Sequence, residues 1–153
     1  MADHLQIDNL DKKILSMISK DARIPYLEVA RACKVSGAAI HQRIHRLTRL
    51  GIITGSEFII DPLKIGYSTC AFIGIYLEKA SLYHEAVKKI EQIPEIVESH
   101  FITGDYSIFI KVYAKNNDHL KNILYSVQGI KGILRTETFI SLEENFKRQL
   151  PIN

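Results

Sequence analysis

Tryptophan is absent from the 153 residues, cysteine and methionine occur twice each, and proline four times. Cys33 and Cys70 stand far apart without CxxC or CxH neighbours, so neither a disulfide framework nor a structural zinc site is signalled. No run approaches the roughly 18 apolar residues of a membrane span, and the acidic start MADHLQIDNLDKK lacks the apolar centre of a signal peptide. These absences predict a reduced, cytoplasmic protein with no membrane partner. A subtler lack is local: Val29 to Ser56 contains no Asp or Glu.

That acid-free stretch is part of a wider asymmetry. Residues 1–60 hold nine Lys/Arg against six Asp/Glu, whereas residues 61–153 hold eleven of each. The whole excess of +3 lies in the first part, which predicts an anionic partner there. Nucleic acid fits better than a membrane surface, because no amphipathic stretch combines Lys/Arg with exposed aromatics. Hydrophobic content of 46% and the chain length allow two small domains, each with its own core.

The organising stretch runs from Pro25 to Gly55. Ile40, Ile44, Leu47 and Leu50 recur at helical spacing, so Ser36 to Leu50 is predicted as one helix with a buried stripe. Ser36 is placed to cap its N-terminus and Gly51 its C-terminus. Its other face carries His41, Gln42, His45, Arg46 and Arg49, with Arg43 at the edge. Upstream, Tyr26 to Cys33 predicts a short helix with Leu27, Val29 and Ala30 inward, joined by Lys34-Val35-Ser36. Two helices joined by so tight a turn, the second basic, form a helix-turn-helix pattern. A first helix over Leu10 to Ile18, capped by Asp8 or Asn9, and strand-like residues Ile52 to Ile60 complete a winged version.

Small side chains at Gly37, Ala38 and Ala39 allow the helix N-terminus to approach base edges in a groove about 12 Å wide. The candidate DNA contacts are Ser36 and Arg49 to the backbone, and Ala39, His41, Gln42, Arg43 and Arg46 on the groove face. Two alternatives stay open. The face can be an ordinary solvated one, with Arg43 a structural stem over the seam. His41 and His45, four apart, can begin a metal site, although no third ligand is near.

Beyond a Pro62-containing hinge at residues 61–66, the character changes. Ser68 to Leu77 is strand-like, Leu82 to Ile93 helical and Val97 to Thr103 strand-like. Tyr106 to Ala114 alternates at period two, a helix follows through Leu120, Ile123, Leu124 and Val127, and Ile133 to Leu142 is a last strand. The order βαββαβ predicts a ferredoxin-like sheet covered on one side by two helices. Its uncovered face carries Tyr, Phe and Ile and asks for a partner, commonly a second copy.

In this arrangement S-G-A-A-I-H-Q-R-I-H-R-L-T-R-L-G-I-I-T-G and T-G-D-Y-S-I-F-I-K-V resemble the Lrp/AsnC, or feast/famine, transcriptional regulators from about Asn9 to Leu142. F-I-G-I and Y-S-I-F-I-K-V look most like the asparagine-responsive branch. The resemblance implies an α+β protein. A winged helix-turn-helix over residues 1–60 precedes an ACT-like (RAM) ligand-sensing and oligomerisation domain over residues 67–153. It also implies a homodimer through the sheet domains, assembling to an octamer, with no cofactor but an amino-acid effector, asparagine the leading candidate, bound where dimers meet.

The family's effector loop maps onto Thr103, Gly104, Asp105, Tyr106 and Ser107, with Ser107 where the family often has a second Asp. An amino acid needs donors for its carboxylate and an acidic or carbonyl acceptor for its ammonium. Thr103, Ser107 and Asp105 supply such groups, and Thr136 and Thr138 can add polar contacts. The alternative is a plain hairpin turn, since Gly-Asp is a common turn pair. Two rival functions remain: a tetrapyrrole decarboxylase of the same architecture, with His100 or Arg135 catalytic, and a small-molecule or protein-interaction module that does not bind DNA.

Overall fold

A computed structural model describes residues 7–153; the lead of residues 1–6, with the start of the acidic opening, lies outside the described residues. The chain divides into two units, residues 1–59 with 146–153, and residues 60–145. Residues 146–153, the tail of the chain, are grouped with the first unit. The hinge segment forms a short 3-10 turn, Leu63–Ile65, at the start of the second unit.

The first unit is built on three helices, α1 (Asn9–Ile18), α2 (Tyr26–Cys33) and α3 (Gly37–Arg49). Asp8 and Asp11 form a reciprocal capping box at α1, each side chain accepting from the other's backbone N–H. Ser36 caps α3 through Ala39 N–H at 3.1 Å. Ile14, Val29, Ala30 and Ile40 are the buried centre, with Met17, Cys33, Val35 and Ile44 packed against it. Two inward assignments fail, since Leu27 and Leu50 are exposed. The inward stripe of α2 is Val29, Ala30 and Cys33, one turn of helix, and Leu27 lies off it.

No strand forms over Ile52 to Asp61, so the predicted wing is absent among the described residues. Gly51, at φ 72°, turns the chain out of α3, and the N–H groups of Ile52 and Ile53 both donate to Leu47 O. They close the helix end instead of starting a ladder. Phe58, Ile59 and Ile60 then run extended and exposed with no strand beside them. A strand exists only as a paired ladder.

The second unit is the predicted βαββαβ sandwich of one sheet and two helices. Its strands are β1 (Thr69–Leu77), β2 (Ile96–Phe101), β3 (Ile108–Ala114) and β4 (Ile133–Ser141), its helices α4 (Tyr83–Ile90) and α5 (Asn117–Gln128). The order is β2-β3-β1-β4 with every pairing antiparallel. Ala71, Ile73 and Ile75 of β1 and Ile108, Ile110, Val112 and Ala114 of β3 face the helices and are buried with Ala86, Ile90, Ile123 and Val127. α4 ends at Ile90, short of the predicted Ile93. A proline ring at position 94 clashes with the carbonyl four residues back, which is that of Ile90.

Period two places Phe72, Gly74 and Tyr76 of β1, Phe109, Lys111 and Tyr113 of β3, and Arg135, Glu137 and Phe139 of β4 on the open face. Phe72 and Phe109 stack with ring centroids 5.9 Å apart. Lys111, 8% exposed, lies between the carboxylates of Glu98 at 3.8 Å and Glu144 at 3.6 Å.

Candidate nucleic-acid interface and effector site

On α3 the exposed residues are Ala38, His41, Gln42, His45, Thr48 and Arg49, a continuous polar stripe opposite Ile40 and Leu47. The His41 ring meets the Tyr26 ring of α2 edge-on at 4.7 Å, which fixes its direction. Among the described residues no group of three His, Cys, Asp or Glu gathers, so His41 and His45 stand on a polar surface without a ligand set.

Arg43 and Arg46 stand elsewhere than the sequence places them. Both turn toward α1, where Asp11 has no exposed side-chain surface. Arg43 Nη1 donates to Asp11 Oδ1 and Arg46 Nη1 to Asp11 Oδ2, each at 3.0 Å, and Arg43 also donates to Asp8. The hydrogen-bonded Arg43 guanidinium holds the Asp8 carboxyl below the usual carboxylate range, and the two carboxylates raise Arg43. Of the groove-face assignments, His41 and Gln42 occupy the open stripe, Ala39 is half-buried, and Arg43 and Arg46 are ion-paired to the first helix. A pattern of single-helix periodicity cannot show this, because Asp11 lies 32 and 35 residues away.

The loop between β2 and β3 holds the second candidate site. Gly104 sits at φ 105°, a conformation L side chains avoid, with open space around the missing Cβ. Thr103 and Asp105 are exposed at its tip. The loop base is fastened by Ser107 N–H to Ile75 O at 2.9 Å. Tyr106 leaves the predicted strand and lays its ring over Gly74, where a Cβ would come within 2.5 Å of the ring. Its hydroxyl donates to Glu137 Oε2 at 2.6 Å, and Tyr76 OH reaches Glu137 Oε1 at 3.3 Å. That bond to a carboxylate, with burial, pushes the Tyr106 phenol up to about 12. Arg135 completes the group, stacked 3.9 Å over the Tyr76 ring.

Gly74, Tyr76 and Glu137 were missed in the sequence. Their common signal is alternation: all three fall on the open face by period two, but only the strand register sets them beside Tyr106. Thr136 and Thr138 are not brought to this cluster. They pair with Ile75 and Ile73 and so point to the helix side, where Thr136 Oγ1 accepts from Gln128 at 2.9 Å. A groove of about 500 Å³ between the ends of α4 and α5 is lined by Lys88, Lys89, Tyr125 and Lys131, and by none of the loop residues.

His100 and Arg135, each a catalytic candidate under the decarboxylase alternative, are not brought together. They lie on β2 and β4, the two edges of the sheet, about 14 Å apart at the usual strand spacing. His100 meets Glu98, and Arg135 is engaged with Tyr76 and Glu137.

Comparison with known proteins agrees with this geometry. Residues 7–48 match the AsnC-type helix-turn-helix domain and residues 70–151 the Lrp/AsnC ligand binding domain. The regulatory protein AsnC of Haemophilus influenzae is 43% identical over 145 residues, spanning 94% of this chain and 97% of its own. The solved structure of Escherichia coli AsnC superposes with a TM-score of 0.89 at 40% identity, covering 95% of this chain and 98% of that one. The feast or famine regulatory protein of M. tuberculosis, solved in complex with L-methionine, shares the fold at 23% identity, with a TM-score of 0.90 over 96% of this chain and 99% of that one. These relatives are regulators and not decarboxylases. The chain belongs to the Lrp/AsnC family of transcriptional regulators, an AsnC-type helix-turn-helix followed by a Lrp/AsnC ligand-binding domain.

Proposed function

We propose that this protein is a cytoplasmic, sequence-specific regulator that binds duplex DNA through α3 and responds to an amino acid held at the Thr103 to Ser107 loop, with asparagine the leading candidate. The observation that carries the DNA reading is the exposed stripe His41, Gln42, His45 and Arg49 on a capped helix with no acidic side chain. Gln and His hydrogen-bond base edges, while Arg49 and the Ser36 end of the helix engage phosphate. The effector reading is supported by a loop whose base is tied down and whose tip offers Thr103 and Asp105. Methionine in a mycobacterial relative speaks for the amino-acid class. The preference for asparagine rests on the likeness to proteins named AsnC.

The open sheet face, with Phe72, Phe109 and half-exposed Phe139, is the surface we assign to a homodimer, from which an octamer is built. A ligand shifts such an assembly only by binding one state better than another. Isothermal calorimetry with asparagine tests the effector: heat with the parent and none with Asp105→Ala supports the loop. No heat with the parent, or equal heat in both, leaves the loop a hairpin turn.

A further inference from the structure

The buried carboxylate of Asp11 accepts from three donors: the backbone N–H of Asp8 at 3.1 Å, Arg43 at 3.0 Å and Arg46 at 3.0 Å. Its surroundings do more than close a capping box. Arg43 and Arg46 are two of the three arginines of α3, and their side chains keep 31% and 38% exposure beside the groove stripe. An arginine on a recognition helix that is not restrained finds phosphate on any sequence, which raises affinity and lowers discrimination. Holding two of three against α1 leaves the groove to His41, Gln42, His45 and Arg49.

We propose that Asp11, assisted by Asp8, is a positioning residue for sequence discrimination: it withholds Arg43 and Arg46 from indiscriminate phosphate contact and so sets the specificity of the recognition helix. This rests on the reading of α3 as the DNA-binding helix. The carboxylates at the capped end of α1 therefore govern how the neighbouring basic helix behaves. Neutralising the carboxylate makes the protein bind unselected DNA more tightly, the opposite of what a lost structural contact does.

The test uses the full chain, a duplex selected by the parent from a random pool, and a scrambled duplex of the same composition. Asp11→Asn is expected to tighten binding to the scrambled duplex and to reduce preference for the selected one. The slope of log affinity against log salt should steepen by about 0.9 for Arg46, roughly a threefold added loss of affinity between 50 and 200 mM salt, and by up to about twice that slope where Arg43 also leaves Asp8. Adding Arg43→Gln and Arg46→Gln to that variant should return the slope to the parent's.

Asp8→Asn keeps an N-cap, leaves Asp11 in place and should steepen the slope by between about half a unit and one unit, which serves if Asp11→Asn fails to fold. Equal weakening on both duplexes with an unchanged slope in Asp11→Asn means a structural role only and overturns the inference. An unchanged slope in Asp8→Asn does the same where Asp11→Asn does not fold. A pool from which the parent enriches no duplex overturns the DNA-binding reading, and this inference falls with it.

Discussion

Single side chains on α3 divide into those that read and those that hold. Arg49 is exposed at the last turn, so Arg49→Ala should weaken binding to every duplex about equally and flatten the salt slope by about one unit. Gln42→Ala should instead lower discrimination, by about 1–3 kcal/mol at the base pair it reads, with little change on scrambled DNA. Competition gel shifts separate the two. In the other unit, Tyr106 is raised from 10.0 to about 12 in the fold. Its contribution to stability is present below the unfolded value and is lost as pH rises from 10.0 toward 12. Near-ultraviolet titration of the seven tyrosines should show a phenol near 12 that disappears in Tyr106→Phe and moves earlier in Glu137→Gln, while Tyr113, raised by burial, stays late in both variants.

At the scale of elements, the β2–β3 loop depends on two glycines for different reasons. Gly104 is needed for its positive φ, so Gly104→Val strains the turn by about 1–3 kcal/mol although nothing crowds the new atoms. Gly74 is needed for space, because the Tyr106 ring occupies the place of its side chain. Gly74→Ala should displace that ring, break its bond to Glu137 and cost about 1–3 kcal/mol as an overpacked site. Thermal unfolding measures both losses. Gel shifts without effector should remain as in the parent, because α3 belongs to the other unit.

For the whole molecule, the two units carry separate jobs, each with its own core. A protein bearing residues 60–145 alone should remain dimeric at micromolar concentration in light scattering, since the Phe72, Phe109 and Phe139 layer needs cover. A monomer would remove the assignment of that face. A symmetric dimer presents two copies of α3. Selected sites should therefore be imperfect palindromes with half-sites spaced by about one helical turn or a multiple of it.

Much of this was legible in residues alone. Helical spacing and the caps at Asp8 and Ser36 located α1 and α3, and strand alternation located β3. These signals are local: a cap acts over three residues and a strand face repeats every two. What remained hidden joins residues far apart or needs a partner segment. The wing failed because strand-like residues make a strand only with a neighbour to pair with. Arg43 and Arg46 were placed on the groove face because periodicity ranks them polar, and only packing of α1 against α3 puts a buried carboxylate within 3.0 Å of both. Thr136 and Tyr106 both looked suited to the effector, and the register of β4 on β1 sends the threonine to the helix side while Glu137 meets the tyrosine. Shifting that register by one residue would exchange the two, which is why sequence composition alone could not choose between them.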